Sequence, residues 1–368
     1  MALESPESLP VKPLRFSPDD ALPPVEPPNM GFLLQLFLIP LLIVSAIVGV
    51  WFLFSWLASS TTSPKEMLQE IRLDRASSWQ RAVTLASLLD NPDSRYAELR
   101  RDPAFAKQLG DLLREERKLP LDDREQHEQR LKVCYYLCRA LGCLETTEAL
   151  PPLLEAAASD RNVAEVDIRL GALESLSLLA KRLGPQVMRE YENAIPVLID
   201  CSRASDQDFT PEKDQSPDYR PQGEVRGAAA FALGVVGGDA ARERLVAMLS
   251  DPYPNARYNA AMGLARLGDE RAIPLLVEML DLENELVAKD ENFESDRDNK
   301  RVTVLKNAME GALQLAPRLS PKAQQPLKYA LEKIAAGQAT NVKDASSRSA
   351  LQLHARETLK RIEAANAR

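Results

Sequence analysis

Aromatic residues and histidine are scarce in this sequence. Phe, Trp and Tyr together make up 5% of the 368 residues, whereas Ala and Leu abound. Because β-rich folds draw on aromatic and β-branched side chains for their strands, this composition favours stacked helices. The only two histidines are His127 and His354, in a charged stretch and near the end of the sequence, which is typical of surface positions. The shortage of histidine argues against a structural zinc site.

Cysteine is also rare, and its spacing is not that of a zinc motif. The four cysteines are Cys134, Cys138, Cys143 and Cys201. The first two lie four residues apart on the apolar face of a predicted helix, so we interpret them as small core residues that stay reduced. The acidic stretches of the chain lack the alternating carboxylates, central Gly and terminal Glu of a calcium-binding loop. We therefore predict no metal ligand.

Catalytic and nucleotide-binding motifs are missing as well. The sequence has no Gly-rich phosphate-binding loop, no nucleophile elbow and no helical zinc-protease motif. The glycines within residues 234–239 follow a predicted helix rather than a strand, which excludes a dinucleotide-binding loop. We predict no catalytic residue and no cofactor, and we expect that the chain is not an enzyme.

Charge of either sign is absent between Glu26 and Lys65. Residues 31–58 are dominated by Leu, Ile, Val and Phe, and at about 1.5 Å per residue such a helix crosses a bilayer core of ~30 Å with some tilt. Trp51 and Trp56 suit the membrane interface near its end. A cleaved signal peptide fits poorly, because the run is long and follows an acidic stretch. We predict one transmembrane helix over residues 31–58.

The segments on either side of this helix differ in charge. Residues 1–30 combine eight prolines with acidic residues and show no apolar periodicity, so we predict a disordered tail. Residues 59–63 are predicted to form a linker. By the positive-inside tendency, the carboxy-terminal domain is expected to be cytoplasmic, because basic residues follow the apolar run closely: Lys65, Arg72, Arg75 and Arg81.

The formal net charge of the chain is −8, and no basic face is evident in the sequence. Mild acidity argues against nucleic acid as the main partner. We expect a protein partner that presents a basic or neutral surface.

A unit of about 31 residues occurs twice in succession between residues 225 and 281. Matches at one offset on apolar, small and glycine positions indicate a repeated helix pair. The alanines leave one helix face bare for a close neighbour, the glycines suit helix ends, and the arginines are predicted to bond carboxylates or helix ends between repeats. The repeat-structural positions are Arg226 and Arg257, Ala229 and Ala260, Leu233 and Leu264, and Gly237 and Gly268.

This pattern resembles HEAT repeats, most closely the short kind called PBS-lyase-like HEAT repeats. An apolar residue precedes Arg226 and Arg257, a Leu-Gly-Asp corner follows at 267–269, and residues 272–280 read Ala-Ile-Pro-Leu-Leu-Val-Glu-Met-Leu. The resemblance implies an α-solenoid that serves as a scaffold for protein contacts. The family name also covers lyases that attach or isomerise bilin chromophores, but no residue here carries over as catalytic.

Helical periodicity predicts an all-α fold, an α-solenoid of about six stacked helix pairs over residues 64–368. Two acidic insertions, at 205–223 and 282–299, interrupt it, and both fall on the same edge of the stack. The structural interpretation is that both insertions are solvated connectors without a specific role. The functional interpretation is a protein-binding edge, with these candidate residues: Asp206, Asp208, Asp214, Asp218, Tyr219, Glu283, Asp290, Glu291, Phe293, Glu294 and Asp296.

Three hypotheses about function remain open at this point. The first is a membrane-anchored, non-catalytic scaffold that binds a protein partner near the bilayer, along an extended concave surface or the acidic edge. The second is a HEAT-like enzyme or small-ligand-binding domain related to bilin lyases. The third is a structural envelope protein whose domain faces outward.

Overall fold

The structure, a computed structural model, gives a description of most of the chain. The described residues are 29–59, 63–73, 78–92, 94–119, 124–159, 165–207, 210, 216–338 and 342–366. Most of the predicted amino-terminal tail, and Asp208 and Asp214 of the candidate edge, lie outside them. The chain divides into two units, one ending at Thr62 and one beginning at Ser63.

The first unit contains a single described helix, α1, over Met30–Ser59. Its window Leu34–Phe54 has a mean hydropathy of 2.7, and none of that window is buried against other described residues. Pro40 lies within the helix, where a Pro is tolerated in apolar surroundings if neighbouring groups satisfy the freed carbonyl. This helix is long and apolar enough to cross a membrane.

The second unit is built from helices, and no strand occurs among its described residues. In chain order the helices are α2 (Pro64–Leu73), α3 (Ser78–Asp90), α4 (Ala97–Arg100), α5 (Pro103–Lys118), α6 (Arg124–Gly142), α7 (Leu150–Ala157), α8 (Val166–Leu183), α9 (Pro185–Glu190), α10 (Ala194–Cys201), α11 (Pro221–Val236), α12 (Asp239–Met248), α13 (Pro254–Leu267), α14 (Ile273–Leu280), α15 (Glu294–Leu315), α16 (Pro321–Ala335) and α17 (Ala345–Asn366). Short 3-10 turns supplement them, among them Glu285–Ala288.

These helices form two layers. Helices α3, α6, α8, α11, α13, α15 and α17 pack side by side in the first layer, each against the next. Helices α2, α5, α7, α10, α12, α14 and α16 form the second layer and cover the first. Each first-layer helix from α3 to α15 is thus followed by a second-layer helix, which makes six pairs, with α2 and α17 closing the two ends. The predicted all-α repeat fold is confirmed.

Prolines and glycines set the helix ends in the repeated region. Pro221 and Pro254 begin α11 and α13, because Pro needs no amide partner in the first turn. Gly237 and Gly268 end the same helices with φ of +69° and +76°, values that glycine adopts without a steric penalty. The two glycines occupy equivalent positions of the repeat, as the sequence predicts.

Four predicted element boundaries differ from the structure. The apolar stripe from Met67 to Leu89 predicts one helix that begins at Pro64, whereas the structure has two helices, α2 and α3. The apolar periodicity of residues 188–203 predicts another single helix, but the structure interrupts it between α9 and α10, where Asn193 adopts a left-handed φ of +67°. Helices α11 and α15 begin at Pro221 and Glu294, earlier than predicted, so each predicted insertion loses its last residues to a helix.

The first layer is packed most tightly between α11 and α13. Ala229 and Ala260 are fully buried there, and small side chains permit the close approach of two helices. A Cβ atom placed on Gly234 would lie 2.4 Å from the Cα of Gly263, so the two backbones are in direct contact at this crossing. The predicted bare alanine face is therefore part of the contact between first-layer helices.

The four cysteines are free thiols inside the core. Burial raises the pKa of Cys138 to about 12 and that of Cys143 to about 11. Because nucleophilic and metal-binding chemistry requires the thiolate, these neutral thiols act as small apolar core groups.

Candidate functional site: the junction of the two insertions

The two insertions connect second-layer helices to the first-layer helices that follow them. The described part of the first, Ala204–Gln207 with Ser216–Arg220, joins α10 to α11, and the second, Leu282–Phe293, joins α14 to α15. We call these residues together the insertion edge. Both emerge on the same side of the stack, because each follows a second-layer helix.

The two insertions contact each other across the two helix pairs that separate them in sequence. The Ser216 hydroxyl donates to the carbonyl oxygen of Lys289 at 3.0 Å. The Lys289 ammonium donates in return to the Asp218 carboxylate at 3.1 Å. The two insertions therefore contact one another directly at these residues.

A second contact fixes the second insertion to the repeats beneath it. The Tyr253 hydroxyl bonds the Asp290 carboxylate at 2.6 Å and also the carboxylate of Glu224. Burial and these two carboxylates raise the pKa of Tyr253, so the phenol stays neutral. The Lys300 ammonium donates to the Asp290 carboxylate at 2.6 Å. Burial by itself lowers the pKa of Lys300, but the bond to this carboxylate outweighs burial, so the pKa is raised overall. Asp290 is thus neutralised within the protein.

Arg226 at the start of α11 holds the first insertion in place. Its guanidinium makes two parallel bonds to the Asp251 carboxylate, at 2.8 and 2.9 Å, which is the strongest geometry for this pair. It also donates to the carboxylate of Asp206 at 3.3 Å and to the carbonyl of Ala204 at 2.8 Å. The Arg226 side chain is only 11% exposed. This repeat position therefore joins the insertion to the next repeat.

The equivalent arginine of the next repeat makes a more local contact. Arg257 donates to the Glu278 carboxylate of α14 at 3.0 Å, and its guanidinium lies 5.1 Å from the centre of the Tyr258 ring. Both arginines therefore bond carboxylates, but only Arg226 reaches an insertion. The remaining repeat-structural residues lie in the core or at helix ends: Ala229, Leu233, Gly237, Ala260, Leu264 and Gly268.

A cavity of about 600 Å³ opens at this junction. Its charged lining consists of five cationic side chains and two carboxylates: Arg203, Arg220, Arg226, Arg244, Lys289, Asp206 and Asp218. The two carboxylates already bond Arg226 and Lys289. The cavity therefore carries an excess of positive charge in a protein whose net charge is negative.

The candidate acidic residues divide into two groups. The structure brings Asp206, Asp218, Asp290 and Glu291 into ion pairs at the junction, and the half-buried Tyr219 lies beside them, with a pKa raised by burial. The others remain at the surface: Glu283, Phe293, Glu294 and Asp296. At the junction, cationic side chains from α11, α15 and the second insertion itself form ion pairs with the acidic candidates.

Two features of this part of the molecule were not predicted from the sequence. The first is the place of Arg203, just after α10, and of Arg244, on α12, in the cavity lining, which nothing in the repeat pattern marks. The second is a groove of about 580 Å³ between α6 and α8, lined by Tyr135, Tyr136 and Leu170. A helix pattern predicts such aromatic residues as core, and only their partial exposure identifies them as surface.

Comparisons with known proteins identify the repeats in this part of the chain. Residues 218–291 match the family model for HEAT repeats. The matched segment contains helices α11 to α14 and most of the insertion edge. No curated protein matches the chain.

Several solved structures resemble the chain weakly. The Escherichia coli protein YibA aligns at 18% identity and a TM-score of 0.28, covering 77% of this chain and 95% of its own. Human deoxyhypusine hydroxylase, solved with glycerol, aligns at 16% identity and a TM-score of 0.24, covering 80% and 97%. A computationally designed self-assembling cyclic homo-oligomer aligns at 16% identity and a TM-score of 0.18, covering 81% and 98%. Similarity at this level assigns neither activity nor ligand to this chain.

Proposed function

We propose that this protein is a membrane-anchored HEAT-repeat scaffold that binds a protein partner near the bilayer through the insertion edge, without catalysis. The observation that carries the proposal is the exposure of two large apolar side chains on this edge, Leu286 at 47% and Phe293 at 69%. Aromatic side chains such as Phe are enriched in protein–protein interfaces. Outside α1, the other exposed large apolar side chains of the described residues are Tyr329 and Leu353.

The membrane part of the proposal rests on α1 and on its flanking charge. A helix of this length and hydropathy, with no buried window, has its lowest free energy in a hydrocarbon environment. The basic residues that follow α1 support a cytoplasmic second unit. A single-pass anchor would raise the local concentration of the scaffold beside membrane partners.

A catalytic or small-ligand function, related to the bilin lyases of the PBS-lyase-like family, is the alternative. The cavity at the insertion junction has a volume within the usual range for small ligands. Within the described lining, however, the lysine and both carboxylates are engaged in ion pairs, so none of them is a free general base. The scaffold hypothesis therefore has the better support.

Removal of the anchor tests the membrane hypothesis. Deleting residues 31–58 is expected to move the protein from the membrane fraction to the soluble fraction of lysed cells. The measurement is an immunoblot of both fractions after a wash in 1 M salt, which removes surface-bound protein by screening charge. A deletion variant that stays with the membrane after the wash would contradict the single-anchor hypothesis.

Two apolar residues test the partner hypothesis. The double variant Leu286→Ser with Phe293→Ser should lose most of the protein that crosslinks to the full-length chain in detergent-solubilised membranes, because it removes the exposed apolar contact. The matched control is Leu353→Ser on α17, which removes an exposed leucine far from the edge in sequence. Equal crosslinking of both variants would place the partner elsewhere.

A further inference from the structure

The cavity at the insertion junction contains cationic groups that form no buried ion pair with the carboxylates of the described residues. Arg226 is bonded by Asp251 and Asp206, and Lys289 is bonded by Asp218. Among the described residues, no buried carboxylate forms an ion pair with the other three arginines of the lining. They are Arg203, Arg220 and Arg244.

Each of these three arginines is held by something weaker than a buried ion pair. Arg244 donates to the hydroxyl and the carbonyl of Ser202, at 2.6 and 2.7 Å, and no carboxylate of the described residues lies within ion-pair distance of it. Among the described residues, the acceptors for Arg220 are the backbone carbonyls of Pro217 and Tyr219. Arg203 has one carboxylate, Asp200, at 3.5 Å on the exposed surface.

The arginines also repel one another. Burial lowers the pKa of Arg244, the positive charges of Arg203 and Arg226 lower it further, and the Asp251 carboxylate raises it without reversing the shift. These three side chains are therefore close enough to interact electrostatically across the cavity wall. A cluster of like charges that folding brings together costs free energy unless an anion binds between them.

The geometry favours a carboxylate over other anions. Guanidinium groups present a planar pair of donors that matches a carboxylate, and the half-buried position of Arg244 strengthens such a bond. Asp206 and Asp218 on the same wall would repel a doubly charged phosphate more than a singly charged carboxylate. The volume of about 600 Å³ accommodates a few side chains of a peptide.

We propose that this cavity binds a glutamate or aspartate side chain of an acidic segment in the protein partner, with Arg244 and Arg203 as the binding residues. The inference rests on the proposed scaffold function and adds the chemistry of the partner. It reverses the expectation drawn from the net charge, because the local charge of the cavity is opposite to that of the whole chain. The apolar side chains Leu286 and Phe293 would then contact the rest of the partner.

A peptide of six glutamates, blocked at both ends and labelled with a fluorophore, tests this proposal. The full-length protein in nanodiscs of zwitterionic lipid is titrated into the peptide, and binding is followed by fluorescence anisotropy. The double variant Arg203→Gln with Arg244→Gln should bind at least about tenfold more weakly, since each charge-assisted hydrogen bond contributes roughly 1.5–3 kcal/mol. A peptide of six glutamines should not bind.

A matched variant removes the same charge elsewhere. Lys306→Gln with Lys322→Gln replaces two exposed lysines of α15 and α16, and it should bind the peptide as the unchanged protein does. Equal affinities in the two double variants would overturn the proposal, and so would the absence of peptide binding. Far-UV circular dichroism of both variants shows that any loss of binding occurs in folded protein.

Two further outcomes separate this inference from the proposed function. Full displacement of the peptide by an equal concentration of inorganic phosphate would assign the cavity to a small anion and overturn the inference. Crosslinking of a partner that depends on Leu286 and Phe293, together with no effect of the arginine variant, would overturn the acidic segment while leaving the scaffold function supported. If neither the glutamate peptide nor a crosslinked partner bound, both the acidic-segment inference and the scaffold function would be overturned.

Discussion

Replacing Arg226 with alanine should lower the free energy of unfolding by about 3–5 kcal/mol. The substitution leaves two buried carboxylates, Asp206 and Asp251, without their shared cation, and it leaves the carbonyl of Ala204 without its donor. An unpaired buried charge costs far more than a lost surface ion pair. The measurement is urea denaturation of the full-length protein in detergent, followed by far-UV circular dichroism.

Two variants test whether the burial of this network is the cause. Arg257→Ala removes the arginine at the equivalent repeat position, but its partner Glu278 is 33% exposed, so a loss of about 1 kcal/mol is expected. Arg226→Lys keeps the charge but not the bidentate geometry, so its loss of unfolding free energy should lie between those of Arg226→Ala and Arg257→Ala. If Arg226→Ala costs no more than Arg257→Ala, then the network does not hold the insertion edge in place.

The substitution Gly234→Leu should destabilise the second unit by about 3 kcal/mol. The new Cβ would meet the Cα of Gly263 at 2.4 Å, which is backbone and cannot rotate away, so α11 and α13 must separate. The separation also removes contacts of the fully buried Ala229 and Ala260. The same urea denaturation measures the loss, and the slope of the transition reports whether the surface exposed on unfolding has changed.

Gly227 on the same helix provides the control. A Cβ at this position would meet its nearest atom, the side-chain nitrogen of Asn259, at an ordinary distance of 3.4 Å. Gly227→Ala should therefore be neutral, or stabilising by up to about 1 kcal/mol, because alanine favours a helix over glycine. Similar stabilities for Gly234→Leu and the unchanged protein would show that the two helices do not cross as closely as described.

The repeat was predictable from the sequence because it recurs at a fixed offset and follows a helical period. Gly237 and Gly268 end their helices as expected, since a positive φ is encoded locally by glycine. The break before α10 was not predictable in the same way. Asn193 adopts a positive φ without being glycine, and the apolar pattern runs through the break unchanged.

The site was less accessible to sequence reasoning than the fold. The sequence identified the two insertions and their acidic residues, but it could not show which cations would reach them. Lys300 comes from α15 and Arg226 from α11, and their pairing depends on how the layers stack. Local charge is a property of the assembled surface, so a segment that is acidic in sequence borders a cavity that is basic in space.

The contact between the insertions also changes how the stack resists deformation. In a simple repeat array each unit contacts only its neighbours, so helix pairs can separate one after another when the array is stretched. Here the bond between Ser216 and Lys289 joins residues 73 positions apart and encloses α11 to α14. These two pairs cannot lengthen without breaking that tie. The middle of the array, α11 to α14, is therefore expected to resist extension more than the repeats on either side of it.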